Sequence, residues 1–198
     1  MKIIGINGSP RKGGNTEQLI NKVFTPLKEA GWETELIQIG GKPIRGCMAC
    51  GKCFETKNNE CVIKNDDLNS IIAKLAETDA IVLGSPVYFA NVTAEMKAFI
   101  DRVGYTSSAN GKLFKGKVGT SVMAVRRAGA IPAFDAMNHF LHHQQLIMPG
   151  STYWNLGIGR EKGDIADDAE GLNNMENLGK VIDWLTKATK PALKDFPE

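Results

Sequence analysis

Short apolar runs alternate along the chain with longer stretches in which apolar residues recur every three or four positions. Such runs predict strands buried on both faces, and the stretches between them predict amphipathic helices, the pattern of parallel strands joined by helical crossovers. Residues 2–7 form the first expected strand, and Thr16 to Ala30 the first helix, with Leu19, Ile20, Val23 and Leu27 on one face and Gly31 as its stop. Thr34 to Ile39 is a second strand. Asp67 to Glu77 follows as a helix, entered through Asn65-Asp66, with Leu68, Ile71, Ile72 and Leu75 along one side. Asp79 to Gly84 reads as a central strand, Thr93 to Val103 as a helix capped by Thr93, and Lys117 to Val125 as a fourth buried strand. Pro132 to Gln145 is a further helix, and Leu146-Ile147-Met148 a short fifth strand. The last helix runs from about Ala169 to Thr189, with Leu172, Met175, Leu178, Val181, Ile182 and Leu185 as its stripe. The order predicts an α/β fold, a doubly wound five-stranded parallel sheet with helices on both faces in three layers. Its ligand belongs beyond the carboxyl ends of the strands, at the switch point.

Composition narrows the class. At 198 residues the chain is expected to be a single domain over 1–198, large enough to bury a proper core. A formal net charge of +2 is too mild for a nucleic-acid footprint, and the basic stretch Lys112 to Lys117 is broken by Leu113, Phe114 and Gly116. No opening stretch resembles a secretory signal, and no apolar run approaches the roughly 18 residues of a membrane span. A cytoplasmic protein without nucleic-acid or membrane partners is the expectation.

The chemistry begins at Gly8-Ser9-Pro10-Arg11-Lys12-Gly13-Gly14-Asn15-Thr16, a loop between the first strand and first helix. Unpaired amides and the helix N-terminus converge there on an anion. Ser9, Asn15 and Thr16 add side-chain hydrogen bonds, Arg11 adds a charge-assisted one, and Gly8, Gly13 and Gly14 permit close approach. The loop fits neither the NTPase nor the dinucleotide pattern. Instead, G-S-P-R-x-x-G-N-T after an N-terminal strand resembles the FMN phosphate loop of the flavodoxin-like NAD(P)H-dependent FMN reductases. The resemblance implies a flavodoxin-like fold with Ser9, Arg11, Gly14, Asn15 and Thr16 on the phosphate.

The segment Ser85-Pro86-Val87-Tyr88, followed by V-T-A-E-M-K-A-F-I-D-R, is similar to the second flavin motif of the same family. That likeness implies ring contacts for Pro86, Val87, Tyr88 and Phe89. A proline with fixed φ followed by aromatics makes a stiff apolar wall for a planar heterocycle. After the fourth strand, Arg127 and Gly129 correspond to a turn that faces the pyrimidine end of the flavin in similar enzymes, although Ala130 stands where a second glycine is common. A cation there would favour anionic reduced flavin, and a structural ion pair for Arg127 is the competing reading. Ser151 to Gly157 and Gly163-Asp164 resemble the family's late loop near the flavin. Lys97 and Asp101, with Arg102 adjacent, read as a surface ion pair, and His139, His142 and His143 as surface or interface residues.

All four cysteines lie in one loop at about 44–64, as Cys47-x2-Cys50-x2-Cys53-x7-Cys61. Such crowding without a secretory signal favours metal ligation or redox work over a structural disulfide. The first three match the C-x2-C-x2-C part of a ferredoxin-type run. This arrangement resembles the compact motif of the iron-sulfur flavoproteins, which implies a [4Fe-4S] cluster on Cys47, Cys50, Cys53 and Cys61 passing electrons to FMN. A zinc held by the same thiols, or free redox-active or incidental thiols, remain alternatives.

The resemblance therefore implies an FMN-dependent oxidoreductase. It would move electrons from NAD(P)H as co-substrate, or from ferredoxin through the cluster, to a small acceptor such as a flavin or quinone. No side chain is assigned a catalytic acid or base role, because the cofactor supplies the redox chemistry. The alternatives are a flavodoxin-like electron carrier and a zinc-stabilised binding module. The family also implies a homodimer or homotetramer.

Overall fold

A computed structural model describes residues 1–197. Its elements are β1 (Lys2–Asn7), α1 (Asn15–Glu29), β2 (Glu33–Gln38), α2 (Lys52–Thr56), α3 (Leu68–Glu77), β3 (Ala80–Pro86), α4 (Ala94–Ala109), β4 (Val118–Val125), α5 (Ala130–His143), β5 (Leu156–Ile158) and α6 (Ala169–Thr189). The five strands form one sheet in the order β2-β1-β3-β4-β5, every pair parallel. The expected doubly wound, flavodoxin-like architecture is thus present.

Alternation along each strand divides the core in two, because successive side chains point to opposite faces. Ile4, Ile6, Ile81, Leu83 and Met123 pack with Leu68, Phe99 and Met137 from α3, α4 and α5 on one face. Ile3, Val82, Val118 and Val122 pack with Leu19, Val23, Met175 and Leu178 from α1 and α6 on the other. Both layers are continuous.

The chain leaves β1 toward β2 on one side and returns to β3 on the other, so the carboxyl ends of β1 and β3 frame the switch-point crevice. Four local details differ from expectation. Leu146-Ile147-Met148 is not the fifth strand: Ile147 forms only an isolated bridge to Val118, and β5 is Leu156–Ile158, paired through Met123↔Leu156. Both segments lie along the same edge of β4, and Pro149, which has no N–H to donate, divides them. Helix α4 continues six residues past Val103, to Ala109. The unexpected short helix α2 lies within the cysteine loop, bracketed by Gly51 at φ 71° and Lys57 at φ 46°. Arg102 is not part of a surface ion pair. Lys97 does pair with Asp101, at 2.6 Å, but the Arg102 side chain is fully buried against Asp66.

Candidate functional site

The loop between β1 and α1 is built by its own side chains. Asn7 Oδ1 accepts from Ser9 N at 3.0 Å, and Ser9 Oγ accepts from Arg11 N at 3.3 Å. Gly14 N donates to Arg11 O at 3.1 Å, closing the turn. From outside the loop, Gly8 N donates to Gly84 O at 2.8 Å, and Thr93 Oγ1 donates to Gly8 O at 2.9 Å. Residues at the ends of β3 and α4 therefore fix where the loop stands.

The N-terminus of α1 is left open. Thr93 caps α4 by accepting from Met96 N, and Asp168 caps α6 through Gly171 N, whereas Gly14 at the start of α1 brings no side-chain cap. Helix geometry leaves the first amides without intrahelical partners, so α1 presents donors and its positive dipole end to the crevice. Glu17 takes one neighbouring amide, Gly13 N, at 2.7 Å.

In front of that terminus lies a cleft of about 160 Å³. Ser9, Arg11, Asn15 and Thr16 line one end, Pro86, Val87 and Tyr88 the side, and Ala124, Arg126, Gly159 and Arg160 the rest. The cleft thus pairs a polar, cationic end with a stiff apolar wall. That is the donor set a phosphorylated planar cofactor requires, and FMN fits it: the open helix terminus and Arg11 suit the phosphate, Pro86 to Tyr88 the ring.

Of the residues expected to bind the cofactor, seven line this cleft: Ser9, Arg11, Asn15, Thr16, Pro86, Val87 and Tyr88. Gly14 lies beneath them, where a Cβ would come within 2.9 Å of Arg11 O. Phe89 is fully exposed and lies outside the cleft walls, at the tip of a turn in which Tyr88 and Asn91 bond each other's backbone. Arg126, not Arg127, stands in the wall, and Arg127 is exposed. Gly129, at φ +83°, packs against Val87 and Ala90 and so supports the wall from behind. His139, His142 and His143 are all exposed, as the surface reading expects.

Gly40 was not signalled by the sequence, and neither was a second, tethering role for Asn15. Gly40 follows β2, and a Cβ there would lie 2.2 Å from Ser9 C and 2.4 Å from Gly8 O. Asn15 is a tether: its Nδ2 donates to Glu161 O at 2.9 Å, and its Oδ1 accepts from Gly163 N at 2.8 Å. It thereby ties the β1–α1 loop to the loop that carries Gly159 and Arg160. Contacts of this kind join segments remote in sequence and leave no local pattern.

A second, smaller pocket is lined by all four cysteines together with Met48, Val62, Ile63, Arg102 and Tyr105. Cys47 and Cys50 are exposed, Cys61 is intermediate and Cys53 is buried. Burial raises the Cys53 thiol above its ordinary pKa, with the neighbouring Cys61 and Cys47 adding to the effect. The thiols surround the pocket rather than converge. Among the described residues no three His, Cys, Asp or Glu side chains are gathered as a single-ion site.

Arg102 also lines this pocket. Burial opposes its charge, but Asp66 and then Cys61 outweigh that and raise its pKa. Among the described residues its Nε has no hydrogen-bond partner, although it is buried. Four thiols around an apolar pocket that a buried arginine also lines fit a polynuclear sulfur-rich group in donor chemistry.

The family model for NADPH-dependent FMN reductase matches residues 1–161. An iron-sulfur flavoprotein of Methanocaldococcus jannaschii is 36% identical over 197 residues, covering 96% of this chain and 100% of that protein. An iron-sulfur flavoprotein of Methanosarcina thermophila is 34% identical over 184 residues, covering 92% of this chain and 93% of its own length. A flavodoxin structure from the domain Archaea superposes with a TM-score of 0.60 at 18% identity, covering 96% of this chain and 99% of that one, a likeness of fold.

Proposed function

The chain belongs to the NADPH-dependent FMN reductase family, and on that premise we propose that it is an FMN-dependent oxidoreductase. It takes electrons from NAD(P)H or ferredoxin and passes them to a small acceptor such as a quinone or free flavin. The observation that carries this reading is the cleft in which the uncapped N-terminus of α1 faces the Pro86-Val87-Tyr88 wall. Bound there, FMN supplies two-electron hydride acceptance and one-electron release.

The chain's own residues bind and orient. Ser9, Arg11, Asn15, Thr16 and the first amides of α1 hold the phosphate, with Gly14 giving the loop its close turn. Pro86, Val87 and Tyr88 would hold the ring, with the backbone at Ala124 and Arg126 available to its heteroatoms. Arg126 and Arg160 favour the anionic reduced state by their charge. Phe89 and Arg127 lie outside the cleft lining, and Gly129 supports the Val87 wall from behind. No acid or base residue is assigned.

The cysteines belong to the same reading. The relatives named as iron-sulfur flavoproteins support a [4Fe-4S] cluster on Cys47, Cys50, Cys53 and Cys61, which would supply one-electron storage. The exposed Tyr153–Trp154 pair, stacked edge to face at 4.7 Å, is where we place contacts between copies in a homodimer or homotetramer.

An anaerobic assay of FMN-loaded protein tests the activity. Oxidation of NADH or NADPH that depends on added quinone or flavin is expected. No turnover with either nucleotide, alongside one-electron reduction by ferredoxin alone, would make the chain an electron carrier.

A further inference from the structure

Arg102 lies on α4, and its side chain has no exposed surface. Nη1 donates to Arg45 O at 3.2 Å and to the Asp66 carboxylate. Nη2 donates to Ile63 O at 3.3 Å and to Asp66 Oδ1 at 3.2 Å. Arg45 precedes Cys47 and Ile63 follows Cys61, so a single guanidinium grips both ends of the cysteine loop. One donor is left over. Nε is buried and unpaired, and Arg102 lines the pocket that all four cysteines share.

A buried donor left without an acceptor is costly even in a paired arginine. A purely structural clasp could have been made by a neutral side chain. The charge becomes useful when the pocket holds an anionic, sulfur-rich group, because one-electron reduction adds a negative charge to a site already made anionic by thiolates. Local charge and hydrogen bonds to sulfur set the potential of such groups. We propose, on the reading above that the cysteines hold a [4Fe-4S] cluster, that Arg102 is its positioning residue. It closes the loop, and its buried charge and free Nε–H raise the cluster's reduction potential.

A dithionite titration of reconstituted, FMN-loaded protein, followed by the EPR signal of the reduced cluster, tests this. Arg102→Gln is neutral but can still bond Asp66 and a carbonyl. It is expected to retain iron and sulfide and to lower the equilibrium constant for reduction at least tenfold, 59 mV more negative for one electron. Asp66→Asn removes the counter-charge and leaves the guanidinium, so it is expected to move the potential the opposite way. If Arg102→Gln fails to fold or to hold iron, Asp66→Asn carries the test alone. Unchanged potentials, or shifts of the same sign in both iron-replete variants, would overturn the role of Arg102. A failure of the unaltered protein to bind iron and sulfide would instead overturn the cluster reading, and this inference with it.

Discussion

At the residue scale the account turns on close approaches and on which arginine faces the cleft. Gly40→Ala would drive a methyl into the backbone of Ser9, so the phosphate loop must move. Overpacking of this kind costs about 1–3 kcal/mol, and FMN affinity is expected to fall roughly tenfold or more, read by flavin fluorescence quenching. Arg126→Ala is expected to weaken FMN binding severalfold, as loss of an exposed charge beside a phosphorylated ligand does; the effect should shrink at high salt. Arg127→Ala should leave affinity unchanged, and the reverse pattern would show that the wall is misassigned. The loop between β1 and α1 was legible because its Gly, Ser, Asn and Thr residues act locally on one helix end. Gly40 was not, because its constraint comes from β2 meeting β1. Arg102 was misread for a related reason: its neighbours Lys97 and Asp101 form an ordinary helical pair, while its own partners, Asp66, Ile63 and Arg45, come from elsewhere.

At the element scale, α1 is the helix that must stay in place, since its N-terminus forms the polar end of the cleft. It is braced from outside by α6. Gly179 on α6 lies so close to α1 that a Cβ would come within 2.3 Å of Val23 O and 2.6 Å of Pro26 Cγ. Gly179→Ala is expected to destabilise the fold by about 1–3 kcal/mol, seen as a lower midpoint in denaturant. The same two helices are joined by Lys22 and Glu176, at 2.7 Å. Hydrogen bonds from Lys22, then from Lys180, lower the Glu176 pKa from 4.5 to about 2. A depressed carboxylate contributes stability that is fully present above pH 4.5 and is lost as pH falls through about 2. Glu176→Gln should therefore flatten the acid limb of the stability profile within that window, and the difference should diminish with salt because solvent still reaches the half-buried pair. Helix positions were readable from apolar spacing, with α6 found at its observed limits. The fifth strand was misplaced because Leu146-Ile147-Met148 has the right composition, while Pro149 hands the ladder to the less apolar Leu156-Gly157-Ile158.

At the scale of the whole molecule, α4 connects the two sites. Its cap, Thr93, holds Gly8 in the phosphate loop, and nine residues further on Arg102 closes the cysteine pocket, a separation of about 13 Å along the axis at 1.5 Å per residue. A doubly wound sheet explains the first site, since every such sheet has a crevice at its switch point. The second lies in the long connection between β2 and α3, which α4 anchors through Arg102. If copies assemble through the Tyr153–Trp154 loop, Trp154→Glu should lower the mass in light scattering toward that of one chain, and an unchanged mass would place the contact elsewhere. The claim beneath all of this is that α1 and its loop hold the phosphate of the cofactor. Flavin-free protein should be titrated with FMN and, separately, with riboflavin, which carries the same ring without the phosphate. FMN is expected to bind at least roughly 100-fold more tightly, the worth of one or two charge-assisted hydrogen bonds; equal affinities would contradict the account.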